Sequence, residues 1–234
     1  MSRSHKEIGS IVLERITSGQ WKPGDVIPSD QELADEFGST RLTVGRAMNT
    51  LVNAGLLDRR RRAGTRVALR TSRDFVINVM LVRNDVERKG AQYRYACLRR
   101  ELIVPPVSVR IQLDLATKQK ALHLVGLHFA DGQPYQLEDR WINVRTIPRA
   151  KNQNFEQTSP NEWLVAEVPY ARAKHVLRAE SAKKEAADLL ELVEGEPVFV
   201  IERLTFISDR TVTFVRLIHP ANDFALTSLD APLK

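Results

Sequence analysis

Four arginines stand in a row from Arg59 to Arg62, with Gly64 and Arg66 just beyond them. Guanidinium groups packed so closely repel one another unless anions lie nearby, and phosphate oxygens suit their forked donors. Residues 1–73 hold 13 Lys and Arg against 8 Asp and Glu, while the remainder is nearly balanced at 22 against 21. That asymmetry points to a polyanionic partner for the first third, without separating DNA from RNA or an anionic membrane. A second group of candidates is Thr40, Arg41, Thr43 and Arg46. At the start of a helix lying in a major groove, the fork of Arg41 matches the O6/N7 pair of guanine. The hydroxyls of Ser29, Thr40 and Thr43 suit phosphate oxygens, and Arg46 suits either target. Arg61 and Arg66, with Gly64 beside them, are placed on a neighbouring backbone or minor groove.

The last two-thirds carries polar groups of a different kind. His128 and Glu138 sit among apolar residues, as do Arg216 and His219, while Arg83 and Asn84 follow an apolar run. Ser159 and Asn161 flank Pro160 where a helix is expected to begin, and donors at a helix N-terminus suit an anion. These eight residues are the candidates for a small-molecule pocket. Structural ion pairs, Glu138–Arg140 or Glu202–Arg216 at the surface, account for several of the same residues. No catalytic residues, metal ligands or cofactor are expected. The chain has no nucleophile elbow or Gly-rich phosphate loop, and His5, His123, His128, His175 and His219 are scattered without metal-ligand spacing. An enzyme with an appended nucleic-acid-binding head, or a protein that coats DNA with little sequence choice, remains a weaker alternative. Cys97 stands alone, which fits a buried thiol in a cytoplasmic protein rather than a disulfide framework. The N-terminus is polar, and no apolar run approaches the ~20 residues that span a bilayer.

The elements that must position these groups can be read from periodicity. Ile8, Ile11, Val12 and Ile16 give a first amphipathic helix over residues 5–18, ended by Gly19 and Pro23-Gly24. Ser29 and Glu32 form a capping box for a second helix, stopped by Gly38. Ser39 is expected to cap a third, with Val44, Ala47, Met48, Leu51 and Val52 inward. Residues 56–69 read as strand, turn and strand. The whole is a helix-turn-helix with a basic hairpin. Beyond a polar connector, strands are expected at 75–82, 93–103, 122–129, 134–142, 173–179, 198–207 and 211–219. Helices are expected at 85–89, from Ser159 to about Val168, and from Ser181 to Leu192. Asp131-Gly132 between alternating runs signals a tight hairpin. The fold class is α+β with a mainly antiparallel sheet, in three segments: 1–70, a connector at 71–77, and 78–234.

These residues resemble the GntR family of bacterial regulators. The resemblance rests on Gly19-x-Trp21-x-Pro23-Gly24-Asp25-x-Ile27-Pro28-Ser29, Glu32-Leu33-Ala34, Arg41-x-Thr43-Val44-x-Arg46-Ala47, Leu51-x-x-x-Gly55-Leu56-Leu57 and Gly64-Thr65-x-Val67. Gln31, Gly45 and Arg62 depart from the family's usual residues. Leu81-Val82-Arg83-Asn84, Gln136-Leu137-Glu138-Asp139-Arg140, Ser159-Pro160-Asn161-Glu162-Trp163-Leu164 and Arg216-Leu217-Ile218-His219-Pro220 are similar to the HutC subfamily, and within it to the histidine-utilisation group, whose effector is urocanate. The resemblance implies a winged helix-turn-helix at the N-terminus and a UTRA domain, similar in fold to chorismate lyase, at the C-terminus. It implies a homodimeric repressor of double-stranded operator DNA, weakened in its grip by a urocanate-like carboxylate. Another small carboxylate from a different pathway is the alternative. A sugar phosphate is disfavoured, because Gly126 and His128 stand where phosphosugar-sensing relatives carry Arg-x-Arg. For a carboxylated imidazole, Arg83 or Arg216 would hold the carboxylate and Glu138 the ring N–H, with His128 or His219 adjusting the hydrogen bonds.

Overall fold

A computed structural model describes residues 3–60, 64–68, 82–168 and 172–221. Three helices and a small sheet make the first unit. α1 (His5–Thr17) starts on a reciprocal cap between Ser4 and Glu7 and buries Ile8, Val12 and Ile16. α2 (Asp30–Phe37) starts on the expected box: Glu32 N–H donates to Ser29 Oγ at 3.3 Å, and Ser29 N–H donates to the Glu32 carboxylate at 2.7 Å. It stops at Gly38, whose φ of +61° is the left-handed value that a glycine adopts without strain. α3 (Arg41–Asn53) is capped by Thr40 and not by Ser39, one residue later than expected. Thr40 Oγ1 accepts the Thr43 N–H at 3.2 Å, while the Ser39 hydroxyl donates to the Arg3 carbonyl. Val44, Ala47, Met48 and Leu51 of α3 share one buried core with Leu33, Ala34 and Phe37 of α2.

The expected hairpin consists of β2 (Leu57–Arg60) and β3 (Gly64–Val67), antiparallel; residues 61–63 at its tip lie outside the described residues. A further strand that periodicity did not indicate, β1 (Val26–Ile27), pairs with β3 to give the order β1-β3-β2.

The second unit opens with α4 (Val82–Arg88), then β4 (Tyr93–Ile103), α5 (Val107–Gln112), β5 (Ala121–Ala130) and β6 (Gln133–Ile142). A 3-10 turn at Pro148–Asn152 leads to α6 (Pro160–Glu167), β7 (Arg172–Ser181), α7 (Lys184–Leu190), β8 (Pro197–Ile207) and β9 (Arg210–Pro220). The six long strands form one antiparallel sheet in the order β4-β5-β6-β9-β8-β7, so the class is α+β as expected. The Asp131-Gly132 turn has φ of +50° and +81°, the paired positive values of a type I′ hairpin. The strand expected at 75–82 falls outside the described residues except for Val82, which opens a helix, and the 71–77 connector lies outside them entirely. The helix expected from Ser181 begins at Lys184, because Ser181 still pairs with Pro197.

Opposed residues in a ladder share a face. The apolar residues of one face, among them Trp141, Phe214, Val125 and Leu137, cluster with α5 and α7. On the other face Leu122, Leu124 and Ile142 join Leu164 of α6 and Phe155.

Candidate functional site

The first candidate surface is the outer side of α3 and the adjacent hairpin. Arg41 and Arg46 are exposed on α3, and Leu42 between them is 68% exposed. Thr40 and Thr43 join hydroxyls at 2.9 Å at the start of that helix, and Ser29 is exposed at the start of α2. On the hairpin, Gly64 has a φ of +78°, and exposed Arg66 donates to the Gly24 carbonyl at 3.2 Å. The arginine run is less free than its sequence suggests. Arg59 pairs with Asp30 at 2.7 Å and reaches Asn49 Oδ1 at 3.3 Å, fastening β2 to the starts and flanks of α2 and α3. Arg60 pairs with Asp58 at 3.0 Å. Two of the four arginines therefore have carboxylate partners within the fold, while Arg61 and Arg62 lie outside the described residues.

The second candidate is a polar patch on the sheet face that α6 packs against. The registers Tyr95↔His128↔Gln136, Gly126↔Glu138↔Leu217 and Leu124↔Arg140↔Val215↔Arg203 place His128, Gln136, Glu138, Arg140 and Arg203 on that face. His219, opposite Phe199, shares it. All six are buried. His128 takes a hydrogen bond at Nδ1 from the Tyr93 hydroxyl at 2.8 Å and gives one from Nε2 to Glu138 at 2.9 Å. Burial pushes the Tyr93 phenol up, so it stays protonated and able to donate. The other oxygen of Glu138 accepts from Arg140 Nε. Burial alone would raise the Glu138 carboxyl; Arg140 and then His128 overcome it and hold the group at about 2. The glycine at 126 has a local reason, because a Cβ there would meet the Tyr95 ring at 2.5 Å.

The starts of two helices border this patch. Ser159, 2% exposed, caps α6 through Glu162, and Arg83 of α4 donates from Nε to Glu162 at 2.6 Å while its guanidinium stacks on Tyr93. Asn161, buried in the first turn of α6, accepts from Arg203. Lys89 of the α4 end donates to the Tyr135 hydroxyl at 2.9 Å, and Tyr135 packs edge-on against His219. A cleft of about 660 Å³ opens beside Lys89, Tyr135, His219 and Leu192.

Six of the eight pocket candidates thus converge: His128, Glu138 and His219 on the face, Ser159, Asn161 and Arg83 at its border. Two do not. Asn84 is exposed on α4. Arg216 lies on the opposite face, opposed to Asp139 and Glu202, and donates to Glu180 at 2.7 Å. The Glu202–Arg216 pair exists at 3.5 Å, whereas Glu138–Arg140 is fully buried and not the surface pair considered from sequence. Gln136, Arg140, Tyr93 and Arg203 were not among the candidates. Two-residue alternation from Glu138 puts Gln136 and Arg140 on its face and could have found them; Tyr93 and Arg203 arrive from other strands and carry no such local signal. Cys97 is half-buried. Among the described residues no group of three or more His, Cys, Asp or Glu could hold a metal, and no helix is long and apolar enough to cross a membrane.

Comparison with known proteins supplies the family. The model for the gntR family of bacterial regulatory proteins matches residues 5–67, and that for the UTRA domain matches residues 88–225. The histidine utilization repressor of Pseudomonas putida is 30% identical over 218 residues, covering 93% of this chain and 88% of its own length. That of Klebsiella aerogenes is 28% identical over 222 residues, covering 95% and 92%. The crystal structure of the C-terminal domain of the histidine utilization repressor from Pseudomonas syringae pv. tomato str. DC3000 superimposes with a TM-score of 0.57 at 27% identity, covering 60% of this chain and 99% of that one. PhnF from Mycobacterium smegmatis shares the fold over 95% of this chain, with a TM-score of 0.59 at 19% identity. With a helix-turn-helix at one end and a UTRA domain over more than half its length, the chain belongs to the GntR family and is a transcription repressor of its HutC type.

Proposed function

We propose that this repressor binds a pseudo-palindromic operator as a homodimer and is weakened in that binding by urocanate held on the polar sheet face. In the DNA-bound state Arg41 reads guanine, Arg46 meets a base or a phosphate, and Ser29, Thr40 and Thr43 fix the register on phosphates. Arg61, Gly64 and Arg66 hold the hairpin on the neighbouring backbone or minor groove. Two recognition helices about 34 Å apart would meet successive major grooves on one face of the duplex, hence the dimer.

The observation that carries the effector reading is the buried His128–Glu138 pair, bordered by Ser159 and Asn161 at the start of α6. A carboxylate kept ionised in a dry site is an acceptor for a ring N–H, and two tyrosines beside His128 offer flat walls to a planar ring. An effector lowers operator affinity only by binding the DNA-incompetent arrangement more tightly, by the same factor as it loosens the DNA. The test is a thermal shift with urocanate on the full chain. Saturating urocanate is expected to raise the melting temperature by several degrees, as tight binding to the folded state requires. An unchanged melting temperature, with operator still held, overturns urocanate as effector and leaves the repressor assignment intact.

A further inference from the structure

Two buried donors on the polar face lack partners among the described residues. Arg140 is 0% exposed. Its Nε donates to Glu138 and its Nη1 to Thr213 Oγ1 at 3.3 Å, while Nη2 has no partner among the described residues. Gln136, 1% exposed on the same strand and face, likewise leaves Nε2 without a partner. Glu138 lies between them in sequence and accepts from both Arg140 and His128. A buried donor left unmade costs more than an average hydrogen bond contributes, and more when the donor is charged. Native proteins keep few such groups, and those they keep commonly face a ligand, an ion or water.

The other arginines of the second unit considered for a ligand are committed elsewhere. Arg83 is a 39%-exposed border residue bonded to Glu162, and Arg216 is on the far face with Glu180 and Glu202. The chemistry of the incoming acceptor is also constrained. Glu138 already balances the charge of Arg140, so a phosphate dianion would face a buried carboxylate beside an arginine whose charge is already offset. A singly charged, flat carboxylate adds less repulsion and presents two oxygens to separate donors.

We infer that Arg140 Nη2 and Gln136 Nε2 are the donors for the effector's carboxylate, so that Arg140 selects a carboxylate-bearing ligand. The inference rests on the reading of this face as the effector site. Both groups are closed off from solvent here, so binding needs an opening at the border of the face, where α4 is held by the Arg83–Glu162 and Lys89–Tyr135 contacts.

Titration calorimetry of the full chain with urocanate and with 4-vinylimidazole, its counterpart lacking the carboxylate, separates the two questions. Wild type should bind urocanate at least about tenfold more tightly, the usual scale for a hydrogen bond to a charged group. The paired change Glu138→Gln with Arg140→Met removes both charges together and so leaves neither one buried alone. It should bring the ratio of the two affinities close to one. Gln136→Leu keeps the ion pair and should lower the ratio severalfold; it decides the matter if the paired variant does not fold. A ratio unchanged in the folded variants, or a wild type that binds both compounds equally, overturns the role of Arg140 while the effector site stands. A wild type that binds neither compound overturns the effector reading and this inference with it.

Discussion

His219 and Glu138 are buried within the same sheet face, yet their burial has opposite electrostatic consequences. Desolvation lowers the His219 imidazole to about 3, because taking on a proton would place a charge in a dry site. Glu138 stays charged because Arg140 and His128 outweigh the cost of burial. Both shifts tie stability to pH in the same direction. The unfolded chain accepts a proton on His219 near 6.5 and the folded chain does not, so stability is complete above 6.5 and is lost as pH falls toward about 3. The depressed Glu138 contributes fully above about 4.5 and is lost toward about 2. Between pH 7 and 5.5 only the histidine is within its window. Urea unfolding should therefore show a loss of about 1 kcal/mol across that interval, and His219→Gln should remove most of it. Equal slopes in wild type and variant would mean that His219 is not held neutral by burial.

At the scale of elements, two glycines make opposite predictions. Gly45 sits inside α3, where an added Cβ would meet only Asp30 Oδ2 at an ordinary 3.5 Å. Gly45→Ala should stabilise the chain by up to about 1 kcal/mol through helix propensity. Gly126 is overlaid by the Tyr95 ring, and Gly126→Ala should instead destabilise it by about 1–3 kcal/mol, the range for overpacking. Chemical denaturation of the two variants checks both signs. The same contrast explains what could be read from the chain before its fold. Local signals were legible: the Ser29–Glu32 and Ser159–Glu162 boxes and the Asp131-Gly132 turn appear where periodicity and cap chemistry put them. Short elements were not. β1 has two residues and α5 has six, too few to show a period. The site was half legible for a related reason. His128 and Glu138 announce themselves as polar groups in apolar strands, but Asp30, Glu180 and Arg203, which bind Arg59, Arg216 and Asn161, lie 29 or more residues from them in the chain.

Across the whole molecule, charge and burial divide the work. The basic excess of residues 1–73 lies with exposed Arg41, Arg46 and Arg66, whereas the charged groups on the sheet face are enclosed, Glu138 being paired with Arg140. An exposed cationic surface gives affinity that falls with salt, and an enclosed polar site gives selectivity for a small molecule. Coupling between them would run through the 70–75 connector, all of which lies outside the described residues. The most direct test is the affinity of the full chain for the duplex it selects from a random-sequence library. It is measured by fluorescence anisotropy at fixed salt against a scrambled duplex, with and without urocanate. A preference of at least about a thousandfold for the selected duplex is expected, falling tenfold or more when urocanate saturates the protein. Equal affinity for the two duplexes, or a preference that saturating urocanate leaves unmoved, would contradict that expectation.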